Sequence, residues 1–169
     1  MRIRKPPAIG GQQARRQSSI VVAAGGTAAR DSIQLATARL PADVNRAAFL
    51  YQWASTLTTN GRNLPLALPL KTDVLPDGFS MSLLRVAKDG AVLSVADMVA
   101  TVEAVAGSGD VLMVRLFEGE AAAELGLTGR DRTAPPEQRL QTLLEACVDV
   151  STIMQTMQDA IRRAVVMSR

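Results

Sequence analysis

Few side chains in this chain can carry acid–base, metal or nucleophilic chemistry. Histidine is absent from all 169 residues. That removes the commonest general base and the commonest metal ligand, and it excludes Ser-His-Asp and Cys-His arrangements. One cysteine, Cys147, is left, so a zinc or iron–sulfur site would need carboxylates alone or a second chain. Cys147 lies mid-stripe between Leu144 and Val150. It therefore reads as a buried small hydrophobe rather than a nucleophile or redox switch. A single cysteine cannot close an intramolecular disulfide, as expected of a reducing compartment.

Five charged residues are the candidates for a ligand or partner surface: Lys71, Asp73, Asp77, Arg85 and Arg115. Asp73 and Asp77 bracket a Pro-Gly turn, where they could bind a cation or act as an acid pair. The simpler reading is turn chemistry. Lys71, Arg85 and Arg115 fall in or beside expected strands, as an anion site on an open sheet face or as solvated strand partners. Trp53 and Tyr51 could stack on a ligand, but Trp53 reads first as a core plug in a chain with so little other aromatic surface. Met154 and Met157 read as core filling ahead of an adaptable partner surface. No phosphate loop is present, because Gly107-Ser108-Gly109 lacks the following G-K-[ST]. No residue is assigned as catalytic, cofactor-binding or metal-ligating, and no cofactor is expected.

These side chains must be positioned by strands and helices that the apolar pattern outlines. Ile33–Leu40 alternates as a first strand. Asp43 is the expected cap of a helix running to about Thr59, with Phe49, Leu50, Trp53 and Leu57 on one face. Ala47 and Ala54 should let that face approach a sheet closely, and Asn60-Gly61 should stop the helix. Leu64–Asp73 is extended, but Pro65 and Pro69 confine it to an edge. Leu66, Leu68 and Leu70 then share a face. A turn at Pro76-Asp77-Gly78 leads into a strand over Phe79–Val86, with Phe79, Met81 and Leu83 on one side.

Ala91–Ala106 has two readings. As a helix it is capped by Ser94 and faces inward with Val95, Met98, Val99 and Val102; as a strand it covers Met98–Val105. The strand is preferred, because Gly107–Asp110 then closes a hairpin with a strand over Val111–Phe117. Ala121–Leu127 suits one or two helical turns ended by Gly126 or Gly129. After a polar link, Pro135-Pro136 opens a single long amphipathic helix reaching about Val166. The expected fold is α+β: a mostly antiparallel sheet of about five strands, with the Trp53 helix and the C-terminal helix packed on one face. Trp53 and Cys147 should share that core.

The charge is uneven. Residues 1–30 hold six basic residues and no acidic one. Six taken from the nineteen basic residues leaves 13 against 16 acidic ones, so the remainder carries −3 although the whole chain carries +3. An Arg-rich, acid-free leader without an apolar h-region has the composition of an organelle transit peptide. The alternative is a disordered basic tail that stays attached. Residues 1–30 are thus read as a leader and 31–169 as one globular domain. A net-acidic body gives no reason to expect a nucleic-acid partner, and no apolar run is long enough to span a membrane.

Leu50-Tyr51-Gln52-Trp53, Leu57-Thr58, the run Asn63–Lys71 (NLPLALPLK) and Pro76-Asp77-Gly78-Phe79 resemble a family of uncharacterised plastid proteins of plants and green algae, known only as a domain of unknown function. The resemblance covers about Ile33 to Phe117. It implies a chloroplast address, in the stroma or on the stromal side of the thylakoid, with peripheral thylakoid contact compatible. The leader alone would also suit a mitochondrion. The resemblance implies no catalytic residues. The expected function is a non-catalytic stromal protein, an accessory subunit or assembly factor of a larger plastid complex. The alternative is a small-molecule-binding protein or enzyme using carboxylates and arginines in a cleft near residues 64–79. A deep polar pocket lined by Arg85, Arg115 or Asp73 would favour the alternative, and a flat apolar patch the first reading.

Overall fold

The computed structural model describes residues 30–60, 68–127 and 133–168. The elements in order are β1 (Ser32–Arg39), α1 (Arg46–Asn60), β2 (Leu70–Leu75), β3 (Gly78–Val86), β4 (Val92–Val105), β5 (Gly109–Glu118), α2 (Pro136–Cys147) and α3 (Val150–Met167). The five strands form one antiparallel sheet in the order β1-β5-β4-β3-β2. This is the expected α+β fold.

Three tight turns set the order of β2 to β5. Leu75 pairs with Gly78 across Pro76-Asp77, a two-residue hairpin loop. Gly78 has to be glycine, since a Cβ there would lie 1.8 Å from the carbonyl oxygen of Ala100 on β4. Gly107 and Gly109 take φ of 76° and 75° in the β4–β5 turn, a region that excludes most side chains. The strand reading of the 91–106 segment therefore holds, with the strand starting earlier than Met98. Val92, Leu93 and Ser94 pair with β3 around a register shift that leaves Val95 unmatched, the pattern of a β-bulge.

Strand alternation divides the sheet into a covered and an open face. Phe79, Met81 and Leu83 of β3, Met98, Ala100 and Val102 of β4, and Leu112, Val114 and Leu116 of β5 are buried on one face. Helix α1 lies over β2 and β3, α2 over β1 and β5, and α3 packs against α1. Trp53 is fully buried in this layer. Its ring stacks on Phe49 at 5.9 Å and takes the edge of Phe79 at 5.3 Å, and Nε1 donates to Thr156 Oγ1 at 3.3 Å. Cys147 belongs to the same core. The other face carries Ser80, Ser82, Thr101 and Arg115 at register positions that alternate with the core residues.

The C-terminal helix is corrected from one to two, which makes three helices among the described residues. Val148 is extended (φ −130°, ψ 130°), and Asp149 caps α3. Its side chain accepts from the backbone N–H groups of Ser151 and Thr152 and from the Thr152 hydroxyl. The Thr152 hydroxyl first, then the backbone N–H groups, hold the Asp149 carboxyl below the usual carboxylate range. An apolar spacing of three across the break, Cys147 to Val150, hides it from periodicity alone.

Smaller shifts have local causes. Asn45, not Asp43, caps α1, because Asn45 Oδ1 accepts from the Ala48 N–H at 3.0 Å. Gly126 (φ 68°) closes the turns after β5, with Leu127 N–H donating to Ala122 and Gly126 N–H to Ala123, the Schellman pattern. The extended segment begins as a strand only at Leu70; Leu64–Ala67, Gly61 and Gly129 lie outside the described residues. So does residue 1–29 of the leader. Arg30, counted with that leader, belongs to the body. It bonds Asp97 at 2.7 Å and the Glu118 carbonyl at 2.6 Å, and it stands 5.5 Å from the Phe117 ring centroid. Among the described residues no helix is long and apolar enough to cross a membrane.

Candidate functional site

An apolar groove of about 470 Å³ opens between α1 and the edge strand β2. Its residues come from one helix face and one strand face. On α1 the stripe Phe49, Leu50, Trp53, Leu57 turns into the core. The adjacent stripe, Ala47, Tyr51, Ala54 and Ser55, is mostly small and leaves room above the sheet. Leu50 and Phe79 contribute to the lining from the core side, and Thr72, Val74 and Leu75 from β2. Two large side chains of the groove stand in solvent: Tyr51 at 77% and Val74 at 87% exposure. Ala47 and Ala54 both line this opening, while Ala54 also packs against the core as the expected close approach requires.

The polar groups at this groove are largely committed. Thr58 Oγ1 donates to the Ala54 carbonyl at 2.8 Å, and Thr59 Oγ1 to the Ser55 carbonyl at 2.9 Å. These bonds back to the preceding turn are a common use of threonine in helices. Thr58 and Thr72 hydroxyls sit 3.2 Å apart and tie α1 to β2. Ligand pockets orient small molecules with a few convergent polar groups, and here those groups already serve the fold.

The five charged candidates do not converge. Lys71 and Asp73 pair with each other at 3.0 Å, one residue off the groove face of β2 on either side of Thr72. Asp77 approaches Arg46 at 3.8 Å, and Arg46 also binds Asp110. Arg85 meets Glu124 at 3.3 Å. Arg115, on the open face, meets Glu103 at 3.7 Å and Met113 Sδ at 3.1 Å. None of the five lines the groove. Among the described residues no three Cys, Asp or Glu side chains gather as a metal site would require.

Cys147 is fully buried, and burial pushes its thiol up to about 11. A thiol so placed is neutral at physiological pH and a poor nucleophile. Met157 is buried and Met154 packs against the core, so both fill space. The expected cleft near residues 64–79 has a counterpart here, since Thr72, Val74, Leu75, Pro76, Gly78 and Phe79 line the groove, but its lining is apolar and its other wall is α1, whereas the expected carboxylates and arginines lie elsewhere. Tyr51 lies between the core positions Phe49 and Trp53 in sequence and so off their stripe.

No curated protein matches this chain. Among solved structures, it is similar to the crystal structure of the di-domain ARO/CYC BexL from the BE-7585A biosynthetic pathway, with 14% identity and a TM-score of 0.32. That match covers 80% of this chain and 50% of the other, so the chain spans about half the length of that protein. A likeness at this level carries no argument about fold or activity. The domain of unknown function DUF7148 matches residues 29–169. Its start at residue 29 places Arg30 inside the domain, as do the contacts of Arg30 with Asp97 and Glu118. The match takes in all five strands and three helices of the described residues, and the chain belongs to the DUF7148 family.

Proposed function

We propose that the protein is a non-catalytic accessory subunit or assembly factor of a larger plastid complex, acting in the chloroplast stroma or on the stromal side of the thylakoid. It docks a protein partner in the groove between α1 and β2. The observation that carries this reading is the exposure of Tyr51 and Val74 over an apolar groove with no Asp, Glu, Lys or Arg in its lining. Exposed large apolar side chains around a groove mark interaction sites on soluble proteins. The chemistry agrees: there is no histidine in the chain, and Cys147 is buried. The plastid address is supported by the five basic and no acidic residues of positions 1–29.

The competing reading is a small-molecule binder, favoured by one observation. About 470 Å³ falls in the range of ligand pockets. The commitment of the Thr58 and Thr59 hydroxyls to helix carbonyls weighs against it. The decisive experiment is import of the labelled full chain into isolated chloroplasts, with a photo-crosslinking residue in place of Tyr51. The expected result is protease-protected chain in the stromal fraction and a cross-link of one defined mass that Val74→Asp abolishes. Failure of import overturns the plastid address, and absence of any protein cross-link overturns the docking reading.

A further inference from the structure

The outer edge of β2 has a property separate from the groove beside it. β2 ends the sheet, and among the described residues no strand pairs with its far side. The Leu84 N–H donates to the Pro69 carbonyl at 2.8 Å, so Pro69 faces β3 with its backbone. Antiparallel ladders alternate bonded and non-bonded positions. Lys71, Asp73 and Leu75 therefore also turn their backbone groups toward β3, and Leu70, Thr72 and Val74 turn theirs outward. Three successive outward positions whose N–H and C=O groups have no backbone partner among the described residues form a template for another strand.

Charge selects what the template accepts. Lys71 and Asp73 flank Thr72 symmetrically, and their side chains share the sheet face opposite the groove. Consider β2 facing its own copy in antiparallel orientation, with outward positions opposite outward positions. Centring the pair on Lys71 sets two lysines face to face, and centring it on Asp73 sets two aspartates face to face. Both cost free energy in a cross-strand pair. Centring it on Thr72 sets Lys71 opposite Asp73 of the second copy, twice over. The same register sets Leu70 opposite Val74 of the second copy. A lone edge lysine deters strand pairing; here the aspartate two residues on makes the edge complementary to itself.

From this we infer that β2 is a homodimerisation edge, pairing antiparallel with β2 of a second copy in the register centred on Thr72. The two sheets join into one, related by a two-fold axis perpendicular to it, as an isologous interface requires. Both helix layers then lie on the same side of the joined sheet. Val74, at 87% exposure, comes to lie along the seam. The pairing uses the backbone edge of β2, whereas the groove uses the side chains between α1 and β2. A monomeric chain whose groove still captures a partner would refute the pairing alone.

Sedimentation velocity of the full chain over a concentration series tests the inference. The wild type should move from monomer to dimer as concentration rises. Thr72→Pro deletes an outward N–H and leaves the β2–β3 ladder intact, so the variant should keep its circular dichroism and sediment as a monomer. Lys71→Asp and Asp73→Lys should each weaken dimerisation by at least about tenfold, because two attractive pairs become repulsive. The exchange of both residues together should restore it, which no loss of folding could mimic. A wild type that stays monomeric at all concentrations overturns the proposal. So does a dimer that survives Thr72→Pro, or charge variants that dimerise like the wild type.

Discussion

Replacing Trp53 with alanine tests whether one side chain ties α1, β3 and α3 together. Trp53 belongs to α1, stacks within that helix on Phe49, meets Phe79 of β3 edge-on and donates to Thr156 of α3. Large-to-small core changes of this kind cost about 3–5 kcal/mol. Each ring contact accounts for roughly 0.5–1.5 kcal/mol of that beyond simple area burial. The lost hydrogen bond adds little at the other end, because the Thr156 hydroxyl also donates to the Thr152 and Ile153 carbonyls at 2.8 and 3.0 Å. A loss of this size is a large part of the total for a typical domain, about 5–15 kcal/mol. Trp53→Phe keeps an aromatic ring against Phe49 and Phe79, and it should recover about half of the loss. The assay is urea denaturation followed by far-ultraviolet circular dichroism for all three chains, since Trp53 is the only tryptophan and its fluorescence vanishes with it. A cost below about 1 kcal/mol for Trp53→Ala, well under the range for buried aromatic deletions, would refute a core centred on this ring.

Buried and crowded positions carry three more expected outcomes. Cys147 should react with thiol reagents only after unfolding, as rapid labelling of the native chain would contradict its burial. Its folded value of about 11 lies above the ordinary 9.0, so the contribution of the neutral thiol is fully present below 9 and is lost as pH rises toward 11; Cys147→Ala should flatten that part of the wild-type stability profile. Gly78→Ala drives a Cβ to 1.8 Å from the Ala100 carbonyl oxygen, a backbone atom of the neighbouring strand that cannot swing aside. A loss of at least about 1–3 kcal/mol is expected by chemical denaturation, and an unchanged midpoint would show that β3 and β4 are further apart than described.

Much of the architecture was legible in local pattern. The alternation of Phe79, Met81 and Leu83 marks a strand with one buried face, and the helical spacing of Phe49, Leu50, Trp53 and Leu57 marks α1. Glycines at 107 and 109 close the β4–β5 hairpin, which decided the strand reading of the segment before them. The burial of Cys147 follows from its place in an apolar stripe. These features depend on residues within one turn or one strand of each other, and periodicity reports such short distances directly.

Contacts between distant segments decided the rest. A stripe spaced by three and four runs through Cys147 and Val150 without interruption, yet Asp149 starts a new helix there, and α2 and α3 go to different neighbours, β1 and β5 on one side and α1 on the other. The pairing of β1 with β5 joins the two ends of the sheet-forming segment, and no local pattern specifies it. Arg30 has to reach across the sheet to Asp97, 67 positions away, before it counts as part of the body. The charged candidates Arg85 and Arg115 find Glu124 and Glu103 through space, which disperses a cluster that their residue types allowed. The groove exists because small residues on one side of α1 stand above β2 at the end of the sheet, where no further strand or helix among the described residues fills the space. Residue type and spacing determine which face of an element is apolar; the order of the strands and the placement of the helices determine which apolar faces are left uncovered.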